Sequence, residues 1–145
     1  MRLFSVVWAM MLLLRVISEK SQLGMPEVKV GIPSVIHAAL LPKYIGNTHA
    51  NWLLLSGEMI SASQAMEWGL ANFCEPVGQF DDRIKTITDK FAALGPKVIR
   101  QQKALIRSWR DIPTTQAIEN SIDAFSEAFT TGEPAQYMRE FLTKK

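Results

Sequence analysis

The chain reads as an α/β protein with few, short strands and a helix-rich C-terminal part. Three observations carry this. Met25-Pro26-Glu27-Val28-Lys29-Val30 is a short extended run, bounded by Pro26 and by the break Gly31-Ile32-Pro33. Ser61-Ala62-Ser63-Gln64 spells a capping box, in which a serine hydroxyl and a glutamine side chain satisfy the first free N–H groups of a helix. From Phe80 onward, apolar residues recur at helical spacing, first as Ile84, Ile87, Phe91 and Leu94.

Taken in order, the elements begin with an apolar run from Leu3 to Leu14, flanked by Arg2 and Arg15. This run has the outline of a signal peptide but lacks a small-x-small cleavage site, and it is too short to cross a bilayer core of about 30 Å. A buried helix, apolar all round, has the same hydropathy. After the extended run, Pro33 suits the first turn of a helix that Pro42 and Gly46 end. Asn47 or Thr48 starts the next helix, with Trp52, Leu53 and Leu55 inward. The helix opened by the capping box ends at Gly69, and Leu70 to Cys74 forms a short strand. The helix from Phe80 carries Asp81 and Asp82 in its first turn, where the helix dipole favours negative charge, and Gly95-Pro96 closes it. Three more helices follow: Lys97 to about Arg110, Thr114 to Phe129 with Ile118, Ile122, Phe125 and Phe129 inward, and Pro134 to Leu142. The Gly-Pro pair divides the chain into residues 1–94 and a helical region, 95–145.

Composition bounds the function. Of 145 residues, 48% are apolar, enough for a core and too many for a disordered chain. A net charge of +2 gives no strong pull towards nucleic acid or a membrane surface. Cys74 is the single cysteine, so no internal disulfide can form, and it is expected to pack as a small hydrophobe. No spacing of cysteine or histidine suggests a metal site.

The order of motifs is more specific. PEVxxG at Pro26 to Gly31, LPxxIG at Leu41 to Gly46, and LLxGExIxAxxAxxWGL at Leu54 to Leu70 resemble the enoyl-CoA hydratase/isomerase (crotonase) family. The resemblance runs from about Ala9 to the C-terminus and is clearest from Arg15 to Pro76. It implies a truncated crotonase-like (ClpP/crotonase) fold, matched by its C-terminal half. It also favours the buried-helix reading of the apolar run, since Ala9-Met10-Met11 and Arg15-Val16 fall on the family's central helix and the strand after it. Family chains are nearly twice as long. Their N-terminal half supplies one backbone N–H of an oxyanion hole, and a Gly-rich turn supplies the other. That turn falls here on Leu3, Phe4 and Ser5, and the second acidic position of hydratases falls on Val7. None of these matches, so little or no hydratase turnover is expected of the isolated chain.

The candidate acid/base is Glu27. Set among Met25, Val28, Val30 and Ile32, its carboxylate is expected to be partly desolvated, the condition under which a carboxyl group can take and give a proton near neutral pH. His37 is the second candidate. Near the start of a helix the dipole favours its neutral imidazole, and it could line an acyl pocket or serve as a hydrogen-bonded structural histidine. The family spelling often carries an acidic residue there, so His37 departs from it. Arg100, Lys103, Arg107 and Arg110 share one helix face. They could meet the phosphates of coenzyme A or form a solvated face.

The resemblance implies an acyl-CoA-processing protein of fatty acid metabolism. It would hydrate or isomerise an enoyl-CoA thioester, as a lyase or isomerase, through an enolate-like intermediate. It implies coenzyme A as part of the substrate, no permanently bound cofactor, no metal and no nucleic acid. A homo-oligomer, trimer or hexamer, would form through the C-terminal helices. The location would be intracellular, in cytoplasm, peroxisome or mitochondrion. The alternative is a non-catalytic crotonase-like remnant or partner subunit that only oligomerises.

Overall fold

The computed structural model describes residues 4–5, 13–35 and 38–143. The chain forms two compact units, Met1–Lys85 and Thr86–Lys145. Among the described residues, no helix is long and apolar enough to cross a membrane.

The first unit contains two small sheets. Strands β1 (Phe4–Ser5), β3 (Gln22–Gly24) and β4 (Met59–Ser61) form one, in the order β1-β3-β4. β1 runs parallel to β3, with Phe4 opposite Leu23, and β4 runs antiparallel to it, with Ile60 opposite Leu23. Strands β2 (Val16–Ser18) and β5 (Phe73–Glu75) pair in parallel, Val16 opposite Phe73. The expected strand thus begins at Phe73 rather than Leu70. Leu70 and Ala71 are spent on a turn in which both backbone N–H groups donate to the Ala65 carbonyl. The N–H groups of Asn72 and Phe73 donate to the carbonyl of Arg15, and Asn72 Oδ1 accepts from the Arg15 N–H at 2.8 Å. Arg15 is buried, its guanidinium lying 4.4 Å from the centre of the Tyr44 ring.

In strand β3, Gln22 is exposed while Leu23 and Gly24 are both buried. At Gly24 the chains approach so closely that a Cβ would stand 2.7 Å from the backbone carbonyl oxygen of Glu58 and 2.5 Å from Met59 Sδ. Only glycine permits this pairing.

Helix α1 (Leu41–Ser56) follows a short 3₁₀ turn at Ala38–Leu40. Pro42 stands in its first turn, where the missing N–H costs nothing, so it opens a helix instead of ending one. Residues 32–35 carry no helix, contrary to the expectation at Pro33. The predicted stop at Gly46 is present as a break within α1, where the backbone turns to φ 69°. Helix α2 (Ala62–Glu67) starts on the expected capping box, Ser61 accepting from the Gln64 N–H and Gln64 from the Ser61 N–H. The core gathers Leu23, Met25, Leu41, Ile45, Leu53 and Leu70. Leu53 is inward as expected, whereas Trp52 and Leu55 are exposed. Beyond the break at Gly46 the inward face passes instead through Ala50 and Leu53, three residues apart, while Leu41 and Ile45, four apart, are buried before it.

Helix α3 (Phe80–Ala92) spans the division between the units, and α4 (Pro96–Ser108), α5 (Thr114–Thr130) and α6 (Glu133–Thr143) complete the second. All four helices stand close to their expected limits. Their apolar stripes are real, yet Ile118, Ile122, Phe125 and Phe129, expected inward, are all at least half exposed. Periodicity aligns an apolar face along a helix, but only a partner surface can bury it.

Candidate active site

Glu27 sits in the 3₁₀ turn Pro26–Val30, not in the extended run expected there: Pro26 in the first turn and left-handed Gly31 at its end (φ 76°) close these residues into a turn. Buried Met25 anchors the turn on the core side. The turn closes when the backbone carbonyl of Glu27 accepts from the Ile32 N–H at 3.1 Å and that of Val28 from the Gly31 N–H at 3.2 Å. This closure reverses the chain and brings Ser34 back over the turn. The Ser34 hydroxyl donates to Glu27 Oε2 at 2.8 Å.

The Glu27 side chain is half-buried. The apolar enclosure expected around it is not formed by its neighbours in sequence: Val28, Val30 and Ile32 are 39%, 73% and 57% exposed, and Met25 alone of the four is buried. In an irregular turn, side chains do not converge on one another, so apolar spelling does not translate into a dry pocket. The carboxylate is held by a specific hydrogen bond and partial burial.

Ser34 has no counterpart among the residues that sequence reasoning singled out. The available signal was the turn spelling Gly-Ile-Pro-Ser, which folds residue 34 back towards residue 27. A serine hydroxyl beside a turn commonly finds a nearby partner in this way.

His37 lies outside the described residues, as do Leu3 and Val7. Phe4 and Ser5, expected at the position of a Gly-rich turn, are in β1. Arg100, Lys103 and Arg107 stand on α4 in the second unit, all exposed, and Arg110 follows the end of that helix.

A polar cluster in the second unit was also not anticipated. The carboxylate of Glu133 accepts from the backbone N–H groups of Lys97 at 3.0 Å and Val98 at 2.9 Å, and so caps α4. The residue at the cap position itself, Gly95, has no side chain to do so. Lys97 Nζ in turn donates to the Thr131 carbonyl at 3.1 Å, just past the end of α5. Desolvation opposes the charge on Glu133, but the Val98 and Lys97 N–H donors, with the cationic Lys97 and Arg100, outweigh it and hold the carboxyl below its usual range.

Cys74 is half-buried in β5. Burial, with help from Glu19 and Glu75, pushes its thiol up, which disfavours the nucleophilic thiolate. Among the described residues, no three histidine, cysteine, aspartate or glutamate side chains are grouped to hold a metal.

Comparison with known proteins identifies the family and the fold. The family model described as enoyl-CoA hydratase/isomerase matches residues 6–145. A probable enoyl-CoA hydratase of Bacillus subtilis (strain 168) is 28% identical over 134 residues, covering 91% of this chain and 52% of that protein. A crotonyl-CoA hydratase of Syntrophomonas wolfei is 28% identical over 132 residues, covering 90% of this chain and 51% of that protein. The chain spans about half the length of these curated relatives. The crystal structure of an enoyl-CoA hydratase from Mycobacterium smegmatis superposes with a TM-score of 0.92 at 21% identity, covering 97% of this chain and 55% of that one. The fold is therefore crotonase-like.

Proposed function

The chain belongs to the enoyl-CoA hydratase/isomerase family, and on that premise we propose that it acts on an enoyl-CoA thioester with Glu27 as the acid/base. The observation that carries the reading is the half-buried Glu27 carboxylate, fixed by Ser34 in the turn of the PEVxxG motif. In isomerisation, Glu27 takes the α-proton of a 3-enoyl-CoA. The electron pair moves onto the thioester oxygen as an enolate held by backbone N–H donors. The same carboxylic acid then returns the proton at the far end of the migrating double bond. Hydration of a 2-enoyl-CoA passes through a different enolate, that of the 3-hydroxyacyl thioester: water adds at the β-carbon, the electron pair moves to the thioester oxygen, and a proton is then delivered to the α-carbon. Two-carboxylate hydration asks for a second acid where this chain has Val7, so a lone Glu27 fits isomerisation or dehydration better.

Coenzyme A arrives with the substrate, and no permanent cofactor is needed. Arg100, Lys103 and Arg107 are the cations assigned to its phosphates, supported by their exposure on one helix. His37 is assigned to the acyl pocket. In this reading residues 1–94 are a partial crotonase core and residues 95–145 the region of assembly, in an intracellular compartment.

The test is isomerisation of a short-chain 3-enoyl-CoA, with proton exchange at the α-carbon in heavy water and acyl-CoA binding by calorimetry. In a form rebuilt with the family's Gly-rich turn, turnover and exchange that vanish in Glu27→Gln while acyl-CoA binding persists are expected. Neither binding nor exchange in the intact protein overturns the reading. The second reading, a non-catalytic subunit that only oligomerises, then stands. The mismatch of Leu3, Phe4 and Ser5 to the family's Gly-rich turn favours it.

A further inference from the structure

We infer that Ser34 is the positioning residue of Glu27, selecting which carboxylate oxygen is presented for proton transfer. The inference rests on the reading of Glu27 as the acid/base. The Ser34 hydroxyl donates to Oε2 at 2.8 Å. A hydroxyl that donates to one carboxylate oxygen fixes the side-chain torsion and leaves Oε1 as the oxygen for the substrate. A bond to an ionised group is roughly twice as strong as one between neutral partners. The donor is itself well placed. Residues 32–35 are not helical, so the Ser34 hydroxyl is not drawn to a helix carbonyl behind it, as serine in a helix often is. The chain reversal that carries Ser34 to Glu27 is fixed by backbone hydrogen bonds, Ile32 N–H to the Glu27 carbonyl and Gly31 N–H to that of Val28. The contact therefore does not depend on a mobile surface side chain finding its partner. A Glu27 left without this bond must be oriented at each encounter with substrate, and orientation lost in this way lowers the rate of the chemical step without weakening binding.

The experiment compares the full chain with Ser34→Ala, Ser34→Thr and Glu27→Gln in the 3-enoyl-CoA assay, alongside carbon-13 NMR of the Glu27 carboxyl. Loss of one such bond is expected to lower kcat about tenfold with KM unchanged, and Ser34→Thr, which keeps the hydroxyl, should restore most of it. The Glu27 carboxyl resonance should move in Ser34→Ala and return in Ser34→Thr, with the amide spectrum otherwise unaltered. Loss of rate in Glu27→Gln with full rate in Ser34→Ala overturns the positioning role alone. Full rate in Glu27→Gln overturns the assignment of Glu27 beneath it. If the intact chain shows no turnover, the resonance decides the contact: no movement in Ser34→Ala ends the inference.

Discussion

At the scale of single residues, the proposed chemistry rests on one carboxylate, Glu27. Glu27→Gln keeps size and most hydrogen bonding but cannot exchange a proton at neutral pH. Positioned acid/base catalysis contributes roughly 10²–10⁴-fold, so the rate of α-proton exchange should fall by about that factor while acyl-CoA binding survives. His37→Ala should cost less if His37 is a structural histidine or only lines the pocket. The comparison is decisive in one direction: full exchange in Glu27→Gln with none in His37→Ala would make His37 the base.

At the scale of elements, two contacts hold the architecture in ways that can be measured. The first is the cap on α4. Because the Glu133 carboxyl is held below its usual range when folded, its contribution to stability is fully present above the ordinary glutamate range, about pH 4.3. That contribution is lost as pH falls through the lower folded value. Thermal melts of the second-unit helices, followed from acid to neutral pH, should show this loss, and Glu133→Gln should flatten it. Equal slopes for both proteins would remove Glu133 from the account. The second contact is the β3–β4 crossing. An alanine at Gly24 would bring its Cβ to 2.7 Å from the Glu58 carbonyl oxygen, which cannot swing aside as the Met59 side chain can. Overpacking of this kind costs about 1–3 kcal/mol, to be read from the shift in denaturant midpoint; an unchanged midpoint would mean that the strands separate freely.

At the scale of the whole molecule, the exposed apolar surface governs behaviour. Ile118, Ile122, Phe125 and Phe129 on α5 and Tyr137, Met138, Phe141 and Leu142 on α6 are all exposed. Contiguous apolar faces of this kind mark association, which supports the proposal that the C-terminal helices assemble the chain with copies of itself. Sedimentation velocity should show a species larger than a monomer, and Ile122→Glu with Phe125→Glu should shift it towards monomer. A compact, monodisperse monomer of the unaltered chain that binds no apolar dye would count against assembly. The outcome matters for both functional readings, since a non-catalytic subunit needs these faces as much as an enzyme does.

What the sequence determined by itself was mostly local. The capping box at Ser61 to Gln64, the break at Gly46 and the starts and ends of the four C-terminal helices were all legible, whereas the run carrying Glu27, read as extended, folds as a 3₁₀ turn. Each depends on residues within a turn or two of one another. Where reach in sequence was longer, only the tertiary structure decided. It placed Ile45, Ala50 and Leu53 inward on α1 in place of Trp52 and Leu55, because burial is a property of two surfaces and periodicity describes one. It moved the helix start from Pro33 to Leu41, left residues 32–35 irregular, and so made Ser34 the partner of Glu27. It capped α4 with Glu133, which stands 36 residues beyond Lys97 in the chain. The spelling of a motif thus identifies the carboxylate. Its orientation and surroundings come from groups that meet it only when the chain has folded.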